Sequence, residues 1–168
     1  MKFHYHSDNM SHEDFLNMFQ EHMHYTDDQL ELFKEVPQRT DSFIKFGSED
    51  MQKWTLVVEV VKSHGCANGQ EVGDRMFFRN ACGILDTEIS DPFCVFCLSA
   101  KIMAVVNTLQ NLMLQGVDPR KFYNKGITCY DSGIENGGWG LVVMDAYIIE
   151  DKDIEQYVRE EKRHLIRR

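Results

Sequence analysis

The chain has 168 residues, 43% hydrophobic and 27% charged, and a formal net charge of −9. That composition is ordinary for a globular protein and argues against general disorder. The acidic balance argues against a nucleic-acid backbone as partner, which needs a basic stripe, and against an anionic membrane surface.

The opening stretch, MKFHYHSDNM, lacks the apolar run of a secretory leader, and no run reaches membrane-spanning length; the expectation is a cytoplasmic protein. Ser11 followed by Asp14 signals a helix start, after which Phe15, Met18, Phe19, His22 and Met23 share one helical face. Thr26 with Gln29 predicts a capping box for a second helix carrying Leu30 and Phe33, which Pro37 is expected to end. Residues 40 to 53 are ambiguous, with a short helix around Ser48 to Gln52.

The pattern changes at Trp54. WTLVVEVVK is rich in β-branched residues and reads as a central strand, 54–62. A glycine-rich turn, SHGCANGQEVGD, leads to a second strand, 75–79. Asp91 and Pro92 look like the cap and first residue of a helix over 93–114, apolar nearly all round in its first half and so expected to be buried. Strands follow at 126–130 and 141–149, separated by the glycine loop IENGGWG. The last stretch, with acids early and bases late, suits a C-terminal helix docked through Ile154, Tyr157, Val158 and Leu165. The fold class is α+β: a small, mostly antiparallel sheet on one long buried helix. The expected divisions are a helical extension, 1–53, a core, 54–150, and a terminal helix, 151–168.

The five cysteines, an odd number in a reducing compartment, point to thiols, metal ligands or plain burial rather than structural disulfides. In DPFCVFCLSA, Cys94 and Cys97 would both lie in the first turn of the expected helix, where backbone N–H groups and the dipole favour a thiolate. A redox pair, a metal or cluster site and inert burial all remain open; free cysteine is among the most buried residue types, so burial leads on these residues alone. Cys66 and Cys129 both sit where strands hand over to turns, with His64 and Asp131 nearby in sequence. Cysteines from three separated elements suit a tetrahedral or cluster site, although the paired CxxC spacing of a zinc ribbon is absent.

The loop ENGGWG places Gly137, Gly138 and Trp139 where backbone can approach a ligand; a tight turn explains the glycines equally. It lacks a phosphate-loop lysine and no helix follows, which excludes nucleotide binding by that motif. His4 and His6 would share a face if extended, His22 and His24 would not share one on a helix, and there is no HExxH; with His12 they read as solvated or packing residues. Asp27 and Asp28 are helix-start charges, and the C-terminal bases a solvated end.

Together VVEVVKSHGCANGQEVGDRMFF, DPFCVFCLSA and ITCYDSGIENGGWGLVVMDAYI resemble a family of small uncharacterised cysteine-containing proteins of anaerobic bacteria and archaea. The resemblance covers residues 54 to 149 and places the family cysteines on Cys66, Cys94 and Cys129, the Val-Gly-Asp turn on Val72, Gly73 and Asp74, and the last turn on Asp131 and Gly133. Cys97 departs from a position that more usually holds a small residue, and Cys82 lies outside the pattern. The resemblance implies no established activity; it favours the three cysteines acting together.

Three functions compete. The first is a metal- or cluster-binding accessory protein of anaerobic metabolism. It would hold zinc, iron or an iron–sulfur cluster on Cys66, Cys94 and Cys129, with Cys97, Asp131 or His64 as a fourth ligand. Its partner would be a larger enzyme subunit or a second copy, through the N-terminal helices. The second is a small enzyme using a thiolate or Asp131 beside the glycine loop. The third is an assembly subunit with inert cysteines.

Overall fold

The computed structural model describes residues 11–98 and 100–166. His4, His6 and the last two arginines lie outside them. The chain divides into two compact units, one ending at Gln52 and one beginning at Lys53.

The described residues of the first unit form four helices: α1 (His12–Met23), α2 (Asp27–Lys34), α3 (Pro37–Gly47) and α4 (Glu49–Gln52). Ser11 caps α1 through the Asp14 N–H, and Thr26 and Gln29 close the expected capping box on α2. Pro37 does not merely end a helix; it opens α3 at the first helical position, where its missing N–H costs nothing. Phe15, Phe19 and Phe33 form the buried centre, with Phe43 packed against them.

The second unit is built on a five-stranded antiparallel sheet. Its strands are β1 (Trp54–His64), β2 (Arg75–Arg79), β3 (Ile84–Leu85), β4 (Tyr123–Thr128) and β5 (Leu141–Glu150), in the spatial order β3-β2-β1-β5-β4. β1 is central, as its run of β-branched residues predicts. Alternation along β1 separates two faces. Val57 joins Phe77, Ile89, Ile149, Ile154 and Val158 in one cluster, which the C-terminal segment covers. Leu56, Val58 and Val60 point the other way and are as completely buried. The helix α5 (Ala100–Leu114) packs against β4 and turns Ile102, Val105, Val106, Leu109 and Met113 inward.

Three expectations about helices are corrected. α5 starts at Ala100, not at residue 93, and only one side of it is buried: Lys101, Met103, Ala104, Asn107 and Thr108 are exposed. Asp91 is not a helix cap. Its carboxylate, almost fully buried, accepts from the Arg75 N–H at 3.0 Å and pairs with Arg159 at 2.8 Å and Lys162 at 3.2 Å. With Asp91 committed to β2 and to the chain terminus, residues 95–98 form a turn instead of a helix start. The C-terminal stretch is not one α-helix but two 3-10 segments, Asp151–Gln156 and Glu160–Leu165. Those two basic side chains reaching Asp91, and Ile154 and Val158 reaching the sheet, hold it down. No helix among the described residues is long and apolar enough to cross a membrane.

Candidate functional site

Three loops meet at one end of the sheet. The turn after β1 carries Cys66, the turn before α5 carries Cys94 and Cys97, and the end of β4 carries Cys129. Backbone and side-chain hydrogen bonds bring them together. Gln70 Nε2 donates to the Pro92 carbonyl at 2.6 Å, tying the first loop to the second. The Tyr130 N–H donates to the Phe96 carbonyl at 3.1 Å, tying the second to the third. Cys129 N–H donates to the Val142 carbonyl at 2.9 Å, and Val142 N–H returns to Cys129 Sγ at 3.3 Å. The glycine loop closes against β1: a Cβ on Gly140 would lie 2.3 Å from the Gly65 carbonyl oxygen, so only glycine fits there.

The result is a pocket of about 280 Å³ lined by Cys66, Cys94, Cys97 and Cys129, with Phe96, Trp139, Leu141 and Val142 as apolar wall and Ala67, Asn68, Asp131 and Gly140 beside them. Its volume is at the lower end of the roughly 300–1,000 Å³ of small-molecule sites, so it suits a small group. Cys97 is fully buried and Cys94 and Cys66 are half-buried. Cys94 Sγ donates to Cys97 Sγ at 3.7 Å. Burial, then the hydrogen bond and charge of Cys94, then the charges of Cys129 and Cys66, push the Cys97 thiol well up. Cys97 thus feels the charge of each of the other three sulfurs.

Asp131 lines the pocket, but its oxygens are engaged. Oδ1 accepts from the N–H groups of Gly133 and Trp139, both at 3.1 Å, and Oδ2 accepts from Gly140 at 3.2 Å. The Gly133, Gly140, Trp139 and Ser132 backbone donors hold its carboxyl below the usual range. Its observed work is to hold the glycine loop. His64 ends β1 opposite Leu141 and is exposed; it is not among the residues lining the pocket, and neither are Gly137 and Gly138. Cys82 is buried elsewhere, with its Sγ 3.7 Å from the Trp54 carbonyl.

No known protein family, curated protein or solved structure matches this chain.

The donor set is chemically suited to a soft metal, and its geometry is partly in place. Two thiolates on one tetrahedral metal at about 2.3 Å would stand about 3.8 Å apart, close to the 3.7 Å between Cys94 and Cys97. Yet among the described residues no three His, Cys, Asp or Glu side chains are grouped to hold a metal ion as they stand. Cys66 and Cys129 would have to swing toward the Cys94–Cys97 edge. Sequence reasoning brought the four cysteines forward; it missed Phe96, Asn68 and Leu141, whose only signal was adjacency to a cysteine or the glycine loop.

Proposed function

We propose that the second unit is a metal- or cluster-binding module using Cys66, Cys94, Cys97 and Cys129, in a small cytoplasmic accessory protein or subunit of anaerobic metabolism. One observation carries this reading: four of the five cysteines, from three separated segments, line a single small pocket. A bound zinc, iron or iron–sulfur centre would supply the positive charge that four clustered sulfurs otherwise lack. The chain's own residues would orient the ligands. Val142 N–H would keep donating to Cys129 Sγ, and Phe96 and Trp139 would wall the site. The reading takes up what the sequence resemblance to cysteine-containing proteins of anaerobes, on Cys66, Cys94 and Cys129, implies. The N-terminal unit would serve as the docking element toward a larger enzyme subunit or a second copy; Leu32 and Val36 offer exposed apolar contacts there.

The test is metal and acid-labile sulfide content per chain, on protein purified without oxygen, for the wild type and for Cys94→Ser. Stoichiometric metal in the first and its loss in the second supports the proposal. No metal in either sinks it. A second reading, a structural subunit with packed thiols, is favoured by the burial of Cys97 and Cys129 and by the absence, among the described residues, of a ready three-ligand group. That reading expects no metal and uniformly slow thiols.

A further inference from the structure

The Cys94–Cys97 pair also has a geometry suited to a chemistry other than metal binding. Cys97 N–H donates to the Cys94 carbonyl at 3.0 Å, so the two residues are the ends of a hydrogen-bonded turn. Such a turn brings its end Cα atoms within roughly 7 Å, and a disulfide spans Cα separations of about 4.4–6.8 Å. The two sulfurs already touch, at 3.7 Å. One of them faces the pocket half-exposed and the other is fully buried. The pocket beside them is open enough for a small group and walled by Phe96 and Trp139, both exposed on their outer sides.

We propose that Cys94 and Cys97 form a reversible dithiol–disulfide couple that exchanges with small disulfides entering this pocket. Cys94, the accessible sulfur, loses its proton to water and attacks one sulfur of the incoming disulfide. The S–S bond of that disulfide breaks, a Cys94 mixed disulfide forms, and the first leaving thiolate takes up a proton. Cys97 then gives up its proton and attacks Cys94 Sγ. The Cys94–Cys97 bond forms, the mixed disulfide breaks, and the second leaving thiolate is protonated. The two protein thiols are oxidised by two electrons and the external disulfide is reduced to two thiols. The burial of Cys97 makes it the resolving partner, since no external disulfide reaches it directly.

This couple goes beyond the metal reading, because exchange needs only these two sulfurs. The two would compete for them: a Cys94–Cys97 bridge removes one edge of the ligand set.

The test purifies the full chain without oxygen and reads its metal content, strips any metal with a chelator, incubates the protein with oxidised glutathione, and maps its cysteines by mass spectrometry without reduction. The wild type is expected to lose two thiols, to yield a Cys94–Cys97 linked peptide, and to hold almost no glutathione adduct. Removing the resolving thiol, as Cys97→Ala or Cys97→Ser, should leave glutathione on Cys94 at a level on the order of tenfold above the wild type. Cys94→Ser should give neither adduct nor bridge among these two positions, and it keeps the test decisive if the buried site tolerates no change at Cys97. A glutathione adduct that persists on wild-type Cys94, a bridge between another pair, or no reaction at Cys94 would overturn the couple. The two readings separate because metal is read before the disulfide is added: protein that is metal-free as purified and forms the bridge ends the metal reading alone, and metal-stripped protein that never forms the bridge ends the couple alone.

Discussion

A Cβ placed on Gly138 would lie 2.0 Å from Asp131 Oδ1. The glycine loop therefore exists in this form because residue 138 has no side chain, and because the carboxylate of residue 131 occupies the space a side chain would take. Gly138→Ala should force that carboxylate out and strand the Trp139 and Gly140 N–H groups. Overpacking of this kind costs about 1–3 kcal/mol. Urea denaturation of the variant would check it; stability equal to the wild type would mean the loop yields more easily than its contacts suggest.

Asp131 also makes a prediction about acid. Its backbone donors, Gly133 foremost, hold its folded pKa below the ordinary value. A group depressed on folding adds stability that is complete above the unfolded pKa, about 3.9, and is lost as pH falls through the folded one. Asp131→Asn cannot titrate. The stability gap between wild type and this variant should be widest at neutral pH and should narrow below about pH 4. Denaturation curves from pH 7 to pH 2.5 would show it, and a gap of constant size would refute it.

A ring cluster forms the buried centre of the N-terminal unit's described residues. Phe19 lies 4.5 Å from Phe43, 4.8 Å from Phe33 and 5.5 Å from Tyr25, measured between ring centroids. Phe19→Ala should cost about 3–5 kcal/mol, because three neighbouring rings face the void. Loss of helical circular dichroism at lower denaturant concentration is the expected sign. An unchanged midpoint would place the unit's stability elsewhere.

Asp91 joins β2 to the C-terminal segment through Arg75, Arg159 and Lys162. Asp91→Ala should remove about 2 kcal/mol, less than a fully buried pair because Arg159 is half-exposed to water. Hydrogen exchange should quicken first in residues 159–165. Quickening that begins in β1 instead would show that the sheet, not the tether, depends on this carboxylate.

Thiol reactivity should sort the cysteines by position. Cys82 is fully buried, and burial pushes its thiol up to about 12. Iodoacetamide at neutral pH should label Cys94 and Cys66 in the native protein and reach Cys82 only on unfolding. Native labelling of Cys82 at the rate of Cys94 would contradict the packing around it.

Much of this architecture was legible because local signals and tertiary packing agree. Thr26 and Gln29 announce α2, and the β-branched run from Trp54 announces the central strand. The cysteine segments were visible as two strand ends and a stretch read as a helix start, which is a turn before α5 instead; their meeting could be anticipated all the same. The failures share a cause: a residue with good local chemistry was taken by a distant partner. Asp91 and Pro92 read as a helix start, but Arg75, Arg159 and Lys162 claim the carboxylate, and the helix waits until Ala100. Asp131 read as a ligand or base, but four backbone N–H contacts from its own loop reach it first. β3 has two residues, too few for any periodicity to register.

The cradle around Asp131 has an outward consequence. Ile134 and Tyr130 are 74% and 77% exposed and stand outside the lining of the thiol pocket, yet the loop's shape is set from inside by a carboxylate and by glycines. Its scaffold and its display are thus encoded by different residues. The outer positions are free to be rewritten, by selection or by grafting, with the frame beside the thiol pocket left standing.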